Sequence, residues 1–122
     1  MLRVFDELIG KTFASVAGKV GDCEMVFVGA DGAPSFRFYH AQDCCETVRI
    51  EDIAGDVCDL AGSPIVEAEE VSNADAPVPE SAESYTWTFY RFATARGFVW
   101  VRWLGESNGY YGEEVDFGEV CP

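Results

Sequence analysis

The segment Ser84–Gly105, with the sequence SYTWTFYRFATARGFVWVRWLG, decides the fold of this chain. Aromatic and β-branched residues, which favour strands, fill both halves of the segment, and the residues ATARG separate them. Two such runs joined by a short turn predict a β-hairpin. Because both faces of each run are largely apolar, we expect two central strands that are covered on both sides.

The rest of the chain predicts further strands and a little helix. The first eight residues place apolar side chains at roughly helical spacing before Gly10, which predicts a short N-terminal helix. Apolar residues recur at helical spacing over 53–60, so one or two short helical turns are expected there. Strand patterns lie at residues 11–20, 23–32, 35–40, 47–50, 64–71 and 115–117.

These elements predict a single α+β domain that spans residues 1–122. Its main part would be a strongly twisted antiparallel sheet of about six to eight strands. Residues 72–84 are rich in Ser, Ala, Pro and acids and lack periodicity, so a mobile, exposed loop is expected there. A chain of 122 residues is long enough for one such domain and too short for two.

The chain is strongly acidic. Its 22 Asp and Glu against 8 Lys and Arg give a formal net charge of −14. Nucleic acids and anionic lipids are polyanions, so direct binding to either is disfavoured, and a protein with a basic surface is the favoured partner. No apolar run approaches the length of a membrane span, and the first ten residues carry acids where a signal peptide would be apolar. We therefore expect a cytoplasmic protein.

The acids are concentrated in the middle of the chain, where twelve of them and a single base lie between Asp43 and Glu83. On a strand, Glu67 and Glu69 would share a face about 7 Å apart, which is comparable to the phosphate spacing along one strand of nucleic acid. Solubility alone is the alternative explanation for this charge. The candidate partner-binding acids form two clusters, Glu51, Asp52, Asp56 and Asp59, and Glu67, Glu69 and Glu70.

The segment His40–Glu46, HAQDCCE, contains the only histidine and two of the five cysteines. In an extended strand His40 and Cys44 would lie about 13 Å apart, too far for one zinc ion to bind both. A tight turn could bring His40, Cys44 and Cys45 together, with Cys58 as a further ligand. A metal- or thiol-dependent protein is therefore one alternative, but the lack of a CxxC pair favours a structural role.

The cysteines are expected to be reduced, because their number is odd and no export signal is present. Adjacent cysteines rarely form a disulfide with each other. We therefore expect one of Cys44 and Cys45 to lie in the core and the other under a loop. No nucleophile with a base, acid–base couple or phosphate-binding loop is recognisable, so the sequence predicts no enzyme and no cofactor.

Two tyrosines, Tyr110 and Tyr111, lie on a Gly-rich turn flanked by Glu106, Glu113 and Glu114. This composition is common at protein-binding surfaces. Self-association through this turn, as in a structural or accessory protein, is therefore a second alternative. An ordinary hairpin tip is the simpler explanation.

Two long strings carry a family resemblance: HAQDCCETVRIEDIAGDVCDLAGSPIVEAEEV, and SYTWTFYRFATARGFVWVRWLGESNGYYGEEVDF. Over about Ile9 to Phe117 the chain resembles a family of small uncharacterised domains encoded by bacteriophages and prophages. The resemblance implies an origin in a mobile element and a bacterial cytoplasm, and it implies no chemistry. By analogy, small acidic proteins of that origin often bind host proteins, including CRISPR effectors and other defence complexes.

The leading hypothesis is therefore an acidic, anti-CRISPR-like inhibitor that binds a nucleic-acid-handling bacterial defence complex, with carboxylates in place of phosphates. Complementary charge would make this association fast and sensitive to salt.

Overall fold

Nine strands and one short 3-10 helix form the described part of the computed structural model, which comprises residues 2–71, 84–109 and 111–120. The strands are β1 (Leu2–Val4), β2 (Phe13–Ala17), β3 (Glu24–Gly29), β4 (Ser35–Tyr39), β5 (Thr47–Ala54), β6 (Glu67–Val71), β7 (Ser84–Thr94), β8 (Gly97–Ser107) and β9 (Asp116–Val120), and the 3-10 helix is Val57–Leu60. The predicted α+β class is therefore wrong, since the described residues are nearly all β. None of them belongs to a helix with the length and apolar character needed to cross a membrane.

The strands form two antiparallel sheets. The first has the order β1-β6-β7-β8-β5, and the second has the order β2-β3-β4-β9. The predicted hairpin is confirmed as β7 and β8, which pair over their whole length around a turn at residues 95–96. It occupies the centre of the five-stranded sheet, with β6 and β5 on its two sides.

The sheets pack face to face around an aromatic core. Tyr90 and Phe92 of β7 contact Phe38 of β4, with ring centroids 4.7 and 5.4 Å apart. Phe27 of β3 lies 5.2 Å from Phe92, and Trp103 of β8 is fully buried. One face of each sheet therefore forms a single continuous core, as in a β-sandwich.

The predicted N-terminal helix is absent. β1 pairs with β6, and two consecutive turns follow β1. In the first turn the Leu8 N–H donates to the Phe5 carbonyl at 3.0 Å, and in the second the Lys11 N–H donates to the Leu8 carbonyl at 3.2 Å. Phe5 and Leu8 are both buried. A spacing of three residues between buried side chains is compatible with a tight turn as well as with a helix. A segment this short also gains little free energy by forming a helix on its own. Sheet pairing therefore determines its structure.

The other predicted elements agree with the structure to different extents. The helical turns expected over 53–60 are reduced to one 3-10 helix, because Ile53 continues β5. The residues ADGAP, 30–34, separate two alternating runs and so predict a hairpin turn, which the structure has between β3 and β4. The loop predicted at 72–84 lies outside the described residues except for Ser84, which begins β7. The expectation that both faces of the β7–β8 hairpin are covered is wrong, because Phe98 is 61% exposed and Trp100 is 43% exposed.

Gly105 makes a close contact that the fold requires. A Cβ atom at this position would lie 2.8 Å from the Cβ of Glu113 and closer still to its carbonyl oxygen, so we expect Gly105→Ala to lower the free energy of unfolding by about 1–3 kcal/mol. Gly118→Ala is the matched control, because no atom lies within 4 Å of its added Cβ. Urea unfolding of both variants measures the difference, and equal stabilities would contradict this packing.

Candidate functional site

The uncovered face of the five-stranded sheet, called the outer face below, carries aromatic and arginine side chains. Because side chains alternate along a strand, Tyr90 and Phe92 point to the core while their neighbours point outward. On β7 and β8 the register places Phe89 opposite Arg102 and Arg91 opposite Trp100. The outward residues of the two strands include Tyr85, Trp87, Phe89, Arg91, Phe98, Trp100 and Arg102.

Each of the two central arginines lies over an indole ring and pairs with carboxylates. The Arg91 guanidinium carbon is 5.4 Å from the ring centroid of Trp100, and the group forms ion pairs with Glu67 and, at 3.1 Å, with Glu69. Ring stacking and ion pairing each restrict the guanidinium group. Arg91 is therefore held at a defined position on the outer face.

Arg102 repeats this arrangement on the neighbouring strand. Its guanidinium carbon lies 5.0 Å from the Trp87 ring centroid, and one of its nitrogens lies 3.5 Å from the Asp52 carboxylate. A cavity of about 200 Å³ lies beside it and is bordered by Phe89, Trp100 and Arg102. The outer face therefore combines ordered aromatic side chains with a small recess.

The outer face has an excess of negative charge. Beyond the two central arginines, Arg49 of β5 pairs with Glu51 at 3.2 Å and Glu106 at 3.1 Å. The ion pairs of this face thus involve three arginines, against five carboxylates. These five are Glu51, Asp52, Glu67, Glu69 and Glu106.

The seven acids predicted to bind a partner do not form one array. Asp56 accepts a hydrogen bond from the Cys58 N–H at 2.9 Å and caps the 3-10 helix, and Asp59 lies 4.0 Å from Arg96. Glu70 lies on the opposite face of β6 from the outer face and accepts a hydrogen bond from Tyr90 at 2.8 Å. The prediction that Glu67 and Glu69 share a face is confirmed, since both reach Arg91.

His40 forms a buried ion pair that joins the two sheets. It follows β4 of the four-stranded sheet, and its Nε2 lies 2.8 Å from the carboxylate of Glu46, which precedes β5 of the five-stranded sheet. The His40 and Glu46 side chains are 3% and 0% exposed. The Glu46 carboxylate also accepts the backbone N–H groups of Asp43 and Cys44, each at 2.9 Å. This network orders the loop between β4 and β5.

The network also sets the charges of both groups. The hydrogen bond from His40 lowers the pKa of Glu46 to about 2, and the backbone donors add to this effect. Burial by itself would lower the pKa of His40, but its hydrogen bonds to Glu46 and to the Glu114 carbonyl outweigh burial and raise it. Glu46 is therefore ionised at neutral pH.

The other side of the His40 ring faces two further carboxylates. Its Nδ1 lies 2.7 Å from the Glu114 carbonyl oxygen. His40, Glu114 and Asp116 bring potential ligand atoms within 4.8 Å of one another, and no other such group of three occurs among the described residues. Glu114 and Asp116 also line an open cleft of about 530 Å³, together with Glu70, Arg3 and Tyr39.

The predicted combination of His40 with cysteines is not found. Cys44 and Cys45 are both exposed, so the expected core position is wrong, and their two sulfur atoms lie next to each other. The backbone bends at these residues instead of extending, which places both side chains on the same side. Cys58 is an exposed thiol in the 3-10 helix, and it is not part of the group that His40 forms with Glu114 and Asp116.

The predicted tyrosine turn is only partly described. Tyr110 lies outside the described residues. The Tyr111 carbonyl oxygen lies 3.3 Å from the Ser107 hydroxyl oxygen. Nearby, Glu113 is buried and accepts a hydrogen bond from Thr86 at 2.8 Å and another from Ser107. Glu113 therefore stabilises this turn from inside.

Two features of the site were missed by sequence reasoning. The outer-face aromatics were assigned to the core, although their strict alternation with Tyr90 and Phe92 was a signal that they form a separate face. Glu114 and Asp116 were not connected with His40, because strand pairing between β4 and β9 brings them together across more than 70 residues. The group of His40, Glu114 and Asp116 could have been predicted only if the pairing of β4 with β9 had been predicted first.

A family model described as a domain of unknown function, DUF7448, matches residues 6–117 of the chain. No curated protein and no solved structure matches it.

Proposed function

The chain belongs to the DUF7448 family of unknown function, and from its geometry we propose that it is a protein-binding module whose outer face binds a partner with a basic surface. The observation that carries this proposal is the row of exposed aromatic side chains on the two central strands. Monomeric proteins rarely leave such a patch uncovered without a binding role.

The residue types of the outer face are those that contribute most to protein interfaces. Trp, Tyr and Arg are enriched among the side chains whose loss weakens binding most. Trp100 and Tyr85 are exposed, and Arg91 and Arg102 are already ordered by rings and carboxylates. Preordered side chains lose less conformational entropy when a partner binds.

The outer face of the four-stranded sheet offers a useful comparison. Its outward residues include Ser35, Arg37 and Val28, and Arg37 lies over Tyr39 at 3.8 Å. Tryptophan is absent from the described strands of that sheet. The five-stranded sheet is therefore the better candidate for binding.

Charge indicates the chemistry of the partner. The carboxylates around the aromatic row exceed the arginines, and the whole chain carries −14. A partner with an apolar centre and surrounding lysines or arginines would complement both features. Complementary charge speeds association and makes it sensitive to salt.

The biological role that we propose is inhibition of a nucleic-acid-handling defence complex in a bacterial cytoplasm by a phage-derived protein. The resemblance to phage-encoded domains supports this role, and so does the acidity of the chain, because such complexes have basic surfaces. We do not extend the proposal to phosphate mimicry. Five of the seven predicted acids are paired with arginines of the chain itself, so they do not form a free row of negative charges.

The proposal is tested by affinity capture from bacterial lysates that contain intact defence systems. The bait is eluted along a salt gradient, and the retained proteins are identified by mass spectrometry. We expect a basic, nucleic-acid-handling protein that is released by moderate salt and is absent when the bait is the Trp87→Ala/Trp100→Ala variant.

The matched control pairs Arg102→Ala with Arg37→Ala. Each arginine stacks on an aromatic ring and pairs with an acid, Asp52 for Arg102 and Glu24 for Arg37, but the two lie on different sheets. Only Arg102→Ala should weaken capture. Equal capture by all baits would overturn the proposal. Light scattering of the purified chain tests the other occupant of the outer face: a dimer that resists salt would mean that a second copy of the chain binds there instead of a basic partner.

A further inference from the structure

We propose that the recess beside Arg102 on the outer face binds an arginine side chain of the basic partner. The recess is bordered by one residue pair from β5, one residue from β7 and two from β8, which are Asp52, Ala54, Phe89, Trp100 and Arg102. This inference rests on the proposed function and deepens it, because it names the chemical group of the partner that the outer face recognises.

A small side chain among large ones creates the recess. On the sheet, Trp100 is paired with Arg91 of β7 on one side and with Ala54 of β5 on the other. The Arg91 guanidinium lies beside the indole ring, whereas the methyl group of Ala54 is too short to cover it. The volume of about 200 Å³ corresponds to roughly six water molecules. This space is enough for a guanidinium group and part of its methylene chain.

Asp52 supplies the carboxylate of the recess, and the arginines of the chain leave it largely accessible. Its side chain is 59% exposed, against 37% or less for the four other carboxylates in the ion pairs of the outer face. The nearest nitrogen of Arg102 lies 3.5 Å away. An ionised carboxylate has about four positions that accept hydrogen bonds, so it can bind a second guanidinium group beside Arg102.

The chain holds its own arginines with the same two kinds of group. Three arginines each lie over an aromatic ring and pair with a carboxylate, and these are Arg37, Arg91 and Arg102. The recess offers an arginine from outside the rings of Phe89 and Trp100 and the carboxylate of Asp52. A guanidinium group stacks on rings and forms paired hydrogen bonds with a carboxylate, whereas a lysine ammonium is a point charge. Arginine is therefore the better fit.

The charges around the recess favour a cation over an anion. Arg102 is less exposed than Asp52 and already pairs with it. The neighbouring Arg91 pairs with two carboxylates, Glu67 and Glu69. Two arginines are thus accompanied by three carboxylates on this part of the outer face. An approaching guanidinium group is attracted by this excess, and a carboxylate is repelled.

The test is an NMR titration of the purified, isotope-labelled full chain with capped pentapeptides that carry one arginine, citrulline or glutamate between alanines. The indole N–H signal of Trp100 reports on the recess. We expect a saturable shift with the arginine peptide. The citrulline peptide has the same shape without the charge, and its affinity should be lower by about three- to fivefold. The glutamate peptide should cause no shift.

Two variants change the recess, and two matched controls change the other sheet. Asp52→Asn removes the charge and keeps the size, and Ala54→Leu fills the recess from β5. Each should lower the affinity for the arginine peptide by at least about three- to fivefold. The controls are Glu24→Gln, whose carboxylate also pairs with an arginine, and Ala17→Leu, which enlarges an exposed alanine of β2. Both should bind the peptide as the unmodified chain does.

The proposal is overturned if the arginine peptide causes no saturable shift at Trp100, or if the citrulline or glutamate peptide binds equally well. Equal affinities of the recess variants and their controls would overturn it as well. Failure of the proposed function has a different result. A partner whose capture depends on Trp100, combined with no peptide binding, would remove the recess proposal alone. Peptide binding at the recess without any captured partner would remove the proposed function alone.

Discussion

Phe38→Ala is expected to lower the free energy of unfolding by about 3–5 kcal/mol, which is a large part of the stability of a small domain. Phe38 is fully buried at the centre of the aromatic core. Its ring contacts Phe5, Tyr90 and Phe117 at centroid distances of 5.1, 4.7 and 4.8 Å. Truncation would remove the side chain that joins β4 to the opposite sheet and would leave a cavity among aromatic rings, which relax little.

Phe98→Ala is the matched control for this prediction, because the same ring is lost from a position that is 61% exposed. Its effect should stay within about 0.5 kcal/mol. Urea unfolding followed by circular dichroism gives both values. Similar losses at positions 38 and 98 would mean that the two sheets do not pack as described.

Trp100→Ala is expected to lower the affinity for the captured partner by about 30-fold or more, which corresponds to the loss of about 2 kcal/mol typical of a central interface residue. Trp100 lies in the middle of the outer face, stacks with Arg91 and borders the recess beside Arg102. Its truncation would remove a large contact surface and would release Arg91 from its fixed position.

The stability of the Trp100→Ala variant should change little, because its side chain is 43% exposed and makes no part of the buried core. Titration calorimetry with the purified partner measures the affinity, and urea unfolding checks that the fold is intact. Unchanged affinity in a folded variant would exclude the outer face as the binding surface.

The hairpin could be predicted from sequence because its information is local. Aromatic and β-branched residues of Ser84–Gly105 favour strands wherever they are placed, and the short turn leaves only antiparallel pairing. Which of its faces is covered could not be predicted this way. That depends on the number of layers, and the strands β2, β3, β4 and β9 supply one covering sheet only.

The N-terminal segment shows the opposite case. Its apolar spacing fits a helix and a series of tight turns equally well, and the choice is made by the pairing of Arg3 with Glu70 on β6. Long-range pairing outweighs a weak local preference here.

The candidate sites depend on long-range pairing as well. The sequence offered Cys44, Cys45 and Cys58 as the groups that a turn could bring to His40, whereas the fold places the carboxylates of Glu114 and Asp116 beside its ring. Similarly, the acids of residues 43–83 suggested a free negative surface. The arginines that pair with several of them lie on β7 and β8, where only the fold brings them within reach.

The central claim is that the outer face of the five-stranded sheet binds a protein partner, and site-specific photo-crosslinking tests it most directly. A benzoylphenylalanine is introduced at Phe98, on that face, or at Val28, an exposed residue on the outward side of the four-stranded sheet. Both proteins are irradiated in the bacterial lysate. We predict a crosslinked product with a basic protein from position 98 and none from position 28. A product from position 28 alone, or from neither position, would contradict the claim.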